Sequence, residues 1–332
     1  MATNTSNRRS RATRIRSLVS GRWHYLPDLP AAPRASVRQV TLPTPTSGTP
    51  VPDDTGDAVS EVVGFVLQGG GSLTAAQVGM LRALTEAGIR PDLLVGSSAG
   101  AINAVAFAAG PNISELARLE TMWLGLHRRH VAPMSLRTLL AAVTGHGDGL
   151  FPDTGLRRQL EAFLPVHDLS EASIPVHVVA TDLESGSAVV LSTGDAVTAL
   201  LASSAFPGLY PPVSFGGRHL IDGGVAADVP VLQAEALGAS VIYILPAAAD
   251  LPTHTYSRGP VPLAYSALGQ ILDGIARRDI AAARVRVHVL PTITSKASTP
   301  VDFRDTAQQI AAGYERTTTW LREQTPIAAA AE

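Results

Sequence analysis

The sequence predicts an α/β protein, a three-layer sandwich built on a central, mainly parallel sheet. Short runs rich in β-branched residues alternate with stretches of helical spacing, which is the pattern of strand–helix–strand units. Two glycine-bearing junctions, around Gly69–Gly71 and Gly96–Gly100, each follow a strand and precede a helix. With 332 residues, 45% hydrophobic and 16% charged, the chain has enough apolar material to bury a sizeable core.

Residues 1–57 are rich in Arg, Ser, Thr and Pro and close on "TLPTPTSGTPVPDDTGD", so they are read as a disordered arm and linker. Arg8, Arg9, Arg11, Arg14, Arg16 and Arg22 all precede the first acid, Asp28. With Ile15, Leu18 and Val19 interleaved, such an arm suits an anionic membrane surface or an organellar transit segment as well as a solvated tail. The β-rich run Val62–Gln68 ("VVGFVLQ") opens the folded part, and Val78, Leu81 and Leu84 give helical spacing to Ala75–Ala87. Leu93–Val95 is the second strand. Further strands are expected at Val176–Ala180, Ala188–Leu191, Val241–Leu245 and Val285–Leu290, and Thr121–Leu164 reads as mostly helical, broken by Pro133, Gly145, Gly147 and Gly149. The Gly216-Gly217 pair reads as a hairpin turn that leaves "RHLID" as a strand ending at Asp222.

Composition narrows the function. Without cysteine, disulfide scaffolds, thiol nucleophiles and thiolate metal sites are excluded. The net charge is −2, and outside the arm nothing suggests a nucleic-acid footprint. No apolar stretch approaches the roughly 20 residues that span a bilayer, and the N-terminus lacks an uninterrupted apolar signal segment. A cytoplasmic protein, peripheral to a membrane at most, is expected.

The segment "VGSSAGAINAVAFAAG" fits Gly-x-Ser-x-Gly as Gly96, Ser97, Ser98, Ala99 and Gly100, with a strand before and a small-residue helix after. A sharp turn there holds Ser98 in a strained conformation with its hydroxyl exposed, and the helix N-terminus favours a developing anion. A serine in that place serves equally well as a helix cap, so the pattern leaves nucleophile and cap both open.

In "GFVLQGGGSLTAAQVGML", Gly69, Gly70 and Gly71 bare backbone N–H groups that suit an oxyanion or a phosphate. About thirty residues separate this loop from Ser98, the span of one strand–helix–strand unit, so both junctions lie on one edge of the sheet. A dinucleotide fingerprint would need a glycine where Thr74 stands, and its ribose-binding acid at the far end of the second strand; Asp92 sits at the opposite end.

The base has two candidates. His254, in the loop "DLPTHTYSRG", is placed as the late histidine of a Ser-His-Asp triad. His127 and His130 lie in a basic helical stretch, and His177, His219 and His288 fall in strands. The rival is Asp222, presented at a strand end and followed by Gly223-Gly224, although an aspartate there is equally a turn former.

Gly69-Gly70-Gly71, Gly96-Ser97-Ser98-Ala99-Gly100 and Asp222-Gly223-Gly224, in that order and spacing, resemble the motifs of the patatin-like phospholipases, as does "ASSAFPGLYPPV" (Ala202–Val213) ahead of the last motif. The likeness covers roughly Val62–Leu245 and extends to "DFRDTAQQIAAGYERTTTWL". It implies a patatin-like catalytic domain over residues 58–325 that acts on phospholipid or other lipid ester substrates. It also implies a Ser98–Asp222 dyad without a catalytic histidine, an oxyanion hole at Gly69, Gly70 and Gly71, and no metal or organic cofactor. Two departures stand out: Leu73 and Thr74 replace the family's usual basic residue and glycine, and Asp228 stands where an Asn is common. They leave a noncatalytic lipid-binding or regulatory relative as a reading of a different class. The segment Ala132–Leu160, with Met134, Leu136, Leu139, Leu140 and Val143, suits a mobile cover over an acyl site or an ordinary core helix.

Overall fold

A computed structural model describes residues 61–133, 149–250, 260–297 and 299–324. The strands are β1 (Val63–Leu67), β2 (Leu93–Ser97), β3 (Val176–Asp182), β4 (Ala188–Leu191), β5 (Val213–Phe215), β6 (Arg218–Asp222), β7 (Val241–Leu245), β8 (Ala249–Asp250), β9 (Arg286–Val289) and β10 (Thr294–Ser295). The helices are α1 (Ala76–Glu86), α2 (Ala99–Ala109), α3 (Ile113–Gly125), α4 (Arg128–Val131), α5 (Thr154–Phe163), α6 (Ala196–Ser203), α7 (Gly224–Ala227), α8 (Val231–Ala236), α9 (Pro260–Ala282) and α10 (Thr306–Gln324).

Among the described residues the main sheet runs β5-β6-β3-β2-β1-β7-β9, with β4 also paired to β3. From β9 through β7, β1 and β2 to β3 every pairing is parallel, while β4, β5 and β6 add antiparallel pairings at one end. Parallel strands need crossovers, and these put helices on both faces. Alternate residues therefore enter two cores. Phe65, Leu67, Leu94 and Val178 pack with Met80, Leu81 and Leu84 of α1. Val66, Val95 and Val179 pack with Val231 and Ala234 of α8 and Ala276 of α9. The two faces with their helices make the predicted sandwich.

The expected strands appear with ends moved by a residue or two, and Gly216 (φ 57°) and Gly217 (φ 77°) form the hairpin turn between β5 and β6. Twist matching favours positive φ at both central positions of such a turn. In the region expected to be helical from Thr121, α3 starts earlier, at Ile113. Asn112 caps it by accepting from Ser114 N (2.9 Å) and Glu115 N (3.0 Å), which satisfies first-turn donors that would otherwise be unpaired. Residues 134–148, which hold most of the apolar part of the suggested cover, lie outside the described residues, as do residues 1–60.

The sheet topology brings two strand ends together. On one side of β3, β2 ends with Ser97 opposite Val179. The antiparallel β6 reaches the same side from the other direction and ends with Asp222 opposite Ala180. Two chain segments far apart in sequence thus finish at neighbouring register positions.

Candidate active site

Ser98 occupies the single residue between β2 and α2, with φ 52° and ψ −130°. It is the one non-glycine residue with positive φ among the described residues. Such a conformation costs about 1–3 kcal/mol and persists only where the surroundings enforce it. Here Ser98 N donates to Ser203 Oγ (2.8 Å), and that hydroxyl donates to Val179 O (2.6 Å). Gly100 permits the bend, because a Cβ there would lie 2.6 Å from Leu67 O and closer still to Gln68 O. Gly96 pairs within the sheet with Leu67 and Val178. The two adjacent serines separate cleanly: Ser97 is fully buried, and Ser98 is half-buried and reachable from solvent.

Ser98 Oγ donates to Asp222 Oδ2 at 2.7 Å across 124 positions of sequence. The other carboxylate oxygen accepts from Gly224 N (2.7 Å), and Asp222 O accepts from Thr181 Oγ1 (2.8 Å). Gly223 N donates to Ser203 O (3.1 Å), so Ser203 holds the serine turn with its side chain and the aspartate turn with its backbone. Asp222 is 3% exposed. Burial pushes its carboxyl up to about 7; the hydrogen bonds from Ser98 and Gly224 pull it down, and the nearby Asp228 carboxylate adds to the rise.

The glycine loop lies beside this pair. A Cβ on Gly69 would stand 3.2 Å from Ser98 Cβ. Gly69 is buried and its N–H donates to Asp228 O (3.0 Å), so this amide is occupied. Gly70 (φ 149°) and Gly71 (φ 58°) hold conformations that disfavour a side chain, and both are half-buried. Neither N–H has a partner among the described residues. The chain then tightens into a 3₁₀ turn, Gly71–Ala75, in which Leu73 N donates to Gly70 O (3.2 Å) and Thr74 Oγ1 to Gly71 O (2.9 Å). Leu73 packs its side chain against the core, and Thr74 supplies the turn's hydroxyl clasp. Asp228 Oδ2 accepts from Gln68 Nε2 (2.8 Å), while burial raises its carboxyl.

His254 and His146 lie outside the described residues. Among those described, no histidine hydrogen-bonds to Ser98 or Asp222. His177 meets Ser192 Oγ (2.7 Å), His288 stacks on Tyr243, and His127 and His130 face each other at α4. No group of three or more His, Cys, Asp or Glu side chains is gathered to hold a metal ion among the described residues, and no described helix is long and apolar enough to cross a membrane. Ser203, within "ASSAFPGLYPPV", supports both turns, a role that the sequence does not announce.

A helix-flanked, mainly parallel sheet with a strained serine at a strand–helix turn, a facing buried aspartate and a glycine loop defines a class of α/β proteins that present a hydroxyl beside free backbone amides. The chain belongs to the patatin-like phospholipase family, whose sequence profile matches residues 65–235, just over half of its length. It is similar to mouse patatin-like phospholipase domain-containing protein 7, 27% identical over 190 residues that cover 57% of this chain and 13% of that protein. Lysophospholipase nte1 of Aspergillus terreus is 30% identical over 191 residues, covering 54% of this chain and 12% of the relative. An uncharacterized NTE family protein of Mycobacterium tuberculosis is 29% identical over 174 residues, 51% of this chain and 27% of the relative. The chain thus matches only a minor part of each relative. Among solved structures, VipD from Legionella pneumophila aligns with a TM-score of 0.44 at 16% identity, covering 80% of this chain and 67% of that one.

Proposed function

We propose that the protein is a lipid acyl hydrolase of the phospholipase A or carboxylesterase type, with Ser98 as nucleophile and Asp222 as its base. The observation that carries this reading is the 2.7 Å hydrogen bond from Ser98 Oγ to the buried Asp222 carboxylate, with the serine in a strained turn. A solvated aspartate, with a pKa of about 4, is a weak base. Burial lifts Asp222 to about 7, which matches the group to proton transfer near neutral pH.

In the proposed reaction Ser98 Oγ attacks the ester carbonyl carbon as its proton passes to Asp222. The carbonyl oxygen becomes an oxyanion facing the N–H groups of Gly70 and Gly71, with Gly69 shaping the loop through its bond to Asp228 O. The intermediate collapses, the alkoxide leaves with the proton from Asp222, and the acyl group stays on Ser98. A water then gives its proton to Asp222 and attacks the acyl carbon; collapse returns a proton to Ser98 Oγ and releases the fatty acid. The α2 N-terminus at Ala99 adds positive potential where the negative charge develops. Gly96, Gly100 and Gly223 support the two turns, and Gly224 also donates its N–H to the second carboxylate oxygen of Asp222.

The substrate expected is a phospholipid or other lipid carboxylic ester met at a membrane surface. The test is fluorophosphonate labelling together with hydrolysis of a lipid panel, each with Ser98→Ala as control. Labelling and hydrolysis that both vanish in Ser98→Ala support the reading. A wild-type chain that neither labels nor hydrolyses any ester overturns it in favour of a lipid-binding role.

A further inference from the structure

The glycine loop is held from beneath by three buried side-chain amides that come from three different helices. Gln77 of α1 donates through Nε2 to Gln68 O (2.8 Å) and Leu245 O (3.0 Å). Asn103 of α2 donates through Nδ2 to Thr74 O (3.0 Å) and to Gln77 Oε1 (2.9 Å), and its own Oδ1 accepts from Trp123 Nε1 (2.7 Å). Gln309 of α10 turns its nitrogen to Ser72 O (3.0 Å) and Leu73 O (3.2 Å) while its oxygen accepts from Ser295 Oγ (3.0 Å). The opposite orientation would set oxygen against two carbonyl oxygens. All three residues are essentially without solvent exposure.

A buried carboxamide is costly unless its donors and acceptors are satisfied. Here the protein uses these groups on one seven-residue stretch, at Gln68, Ser72, Leu73 and Thr74, which brackets Gly70 and Gly71 on both sides. In a trans peptide the C=O and N–H point opposite ways. Gly70 O is turned inward onto Leu73 N, which leaves the N–H of Gly71 facing out of the turn. Without a clamp, two glycines in succession would be the most mobile part of the edge.

We propose that Gln77, Asn103 and Gln309 are positioning residues of the oxyanion hole, clamping both flanks of the glycine pair so that its free amides hold one direction. This rests on the hydrolase reading above and assigns to three helices a task that adds to the turn's own bonds from Leu73 N to Gly70 O and from Thr74 Oγ1 to Gly71 O. Asn103 has a further consequence. It lies on the helix that begins beside Ser98, so the same side chain links the donor loop to the element carrying the nucleophile.

The test uses Asn103→Leu, Gln77→Met and Gln309→Met, each close in volume and lacking the donors, assayed on a matched pair of substrates, an ester and its thionoester. Thiocarbonyl sulfur accepts hydrogen bonds weakly, so its hydrolysis depends little on the donors. The expected result is a fall in kcat on the ester of about 10–100-fold, less than the roughly 10²–10³-fold for outright loss of a donor, with KM nearly unchanged and the thionoester far less affected. Amide hydrogen exchange at Gly70 and Gly71 should quicken in the same variants, while circular dichroism stays that of the folded protein. Equal losses on both substrates, or unchanged exchange at the two glycines, overturn the proposal. Should Asn103→Leu fail to fold, Gln309→Met decides by the same criteria, since α10 carries neither Ser98 nor Asp222. A wild-type protein inactive on both substrates sinks the hydrolase reading instead, and the exchange measurement still decides the clamp.

Discussion

The two edges of the central sheet use the same kinds of residue for opposite ends. At the edge where the parallel strands begin, Asp92 accepts from Val63 N (2.7 Å) and Ser240 Oγ from Val62 N (2.9 Å), so a carboxylate and a hydroxyl close off strand-end donors. At the other edge Asp222 and Ser98 bond to each other, and the amides of Gly70 and Gly71 have no partner among the described residues. Asp92 is exposed, and Asp222 is buried with its carboxyl raised to about 7. On the proposed reading, an aspartate and a serine differ in role here because the sheet delivers them to one buried spot with unfilled donors beside them among the described residues.

Several substitutions break that contrast or sharpen it. Ser98→Ala should abolish ester hydrolysis, by on the order of 10⁴-fold or more, in a titrimetric assay of released fatty acid. Asp222→Asn should cost about 10²–10⁴-fold in kcat/KM by loss of the base, and it should also change stability in a defined direction. The folded pKa of Asp222, about 7, lies above its unfolded value of about 4, so the stability linked to its neutral form is complete below pH 4 and is lost as pH rises through 7. The asparagine variant should therefore melt near the wild-type temperature at pH 4 and above it at pH 8 by differential scanning calorimetry.

Ser203→Ala removes the acceptor for Ser98 N and the donor to Val179 O. It should lower kcat about 10–100-fold with KM little changed, since it moves a reacting atom rather than a binding surface. The smallest effect belongs to the far edge. Asp92→Ala should reduce stability by about 1 kcal/mol in urea titration and leave turnover within about twofold.

The turns that carry the candidate site were legible because they are local. Gly96-Ser97-Ser98-Ala99-Gly100 between a strand and a helix, the glycine run after β1, and "RHLID" before two glycines each announce a turn with a polar residue at its tip. The alternation of strand runs with helical stretches likewise announced a mainly parallel sheet, and β1 and β2 are the near-continuous apolar runs that coverage on both faces requires. What stayed hidden depends on contacts between remote positions. Nothing local marks Gln77 or Gln309; only the fold brings Gln77 to Gln68 O and Leu245 O, and Gln309 to Ser72 O and Leu73 O. Ser203 lies within "ASSAFPGLYPPV", but its bond to Ser98 N spans 105 positions. The early start of α3 did carry a local sign, Asn112 followed three residues later by Glu115, which helical spacing alone overlooks.

The most direct test of the dyad is the pH dependence of kcat/KM for a soluble short-chain ester, measured from pH 5 to 9 on the wild type and on Asp222→Asn. The account predicts a wild-type rate that climbs with pH through an apparent pKa of about 7 as Asp222 ionises, and a variant both slow and without that limb. A wild-type profile flat across this range, or an asparagine variant that keeps the wild-type rate and limb, would contradict Asp222 as the group that takes the serine's proton.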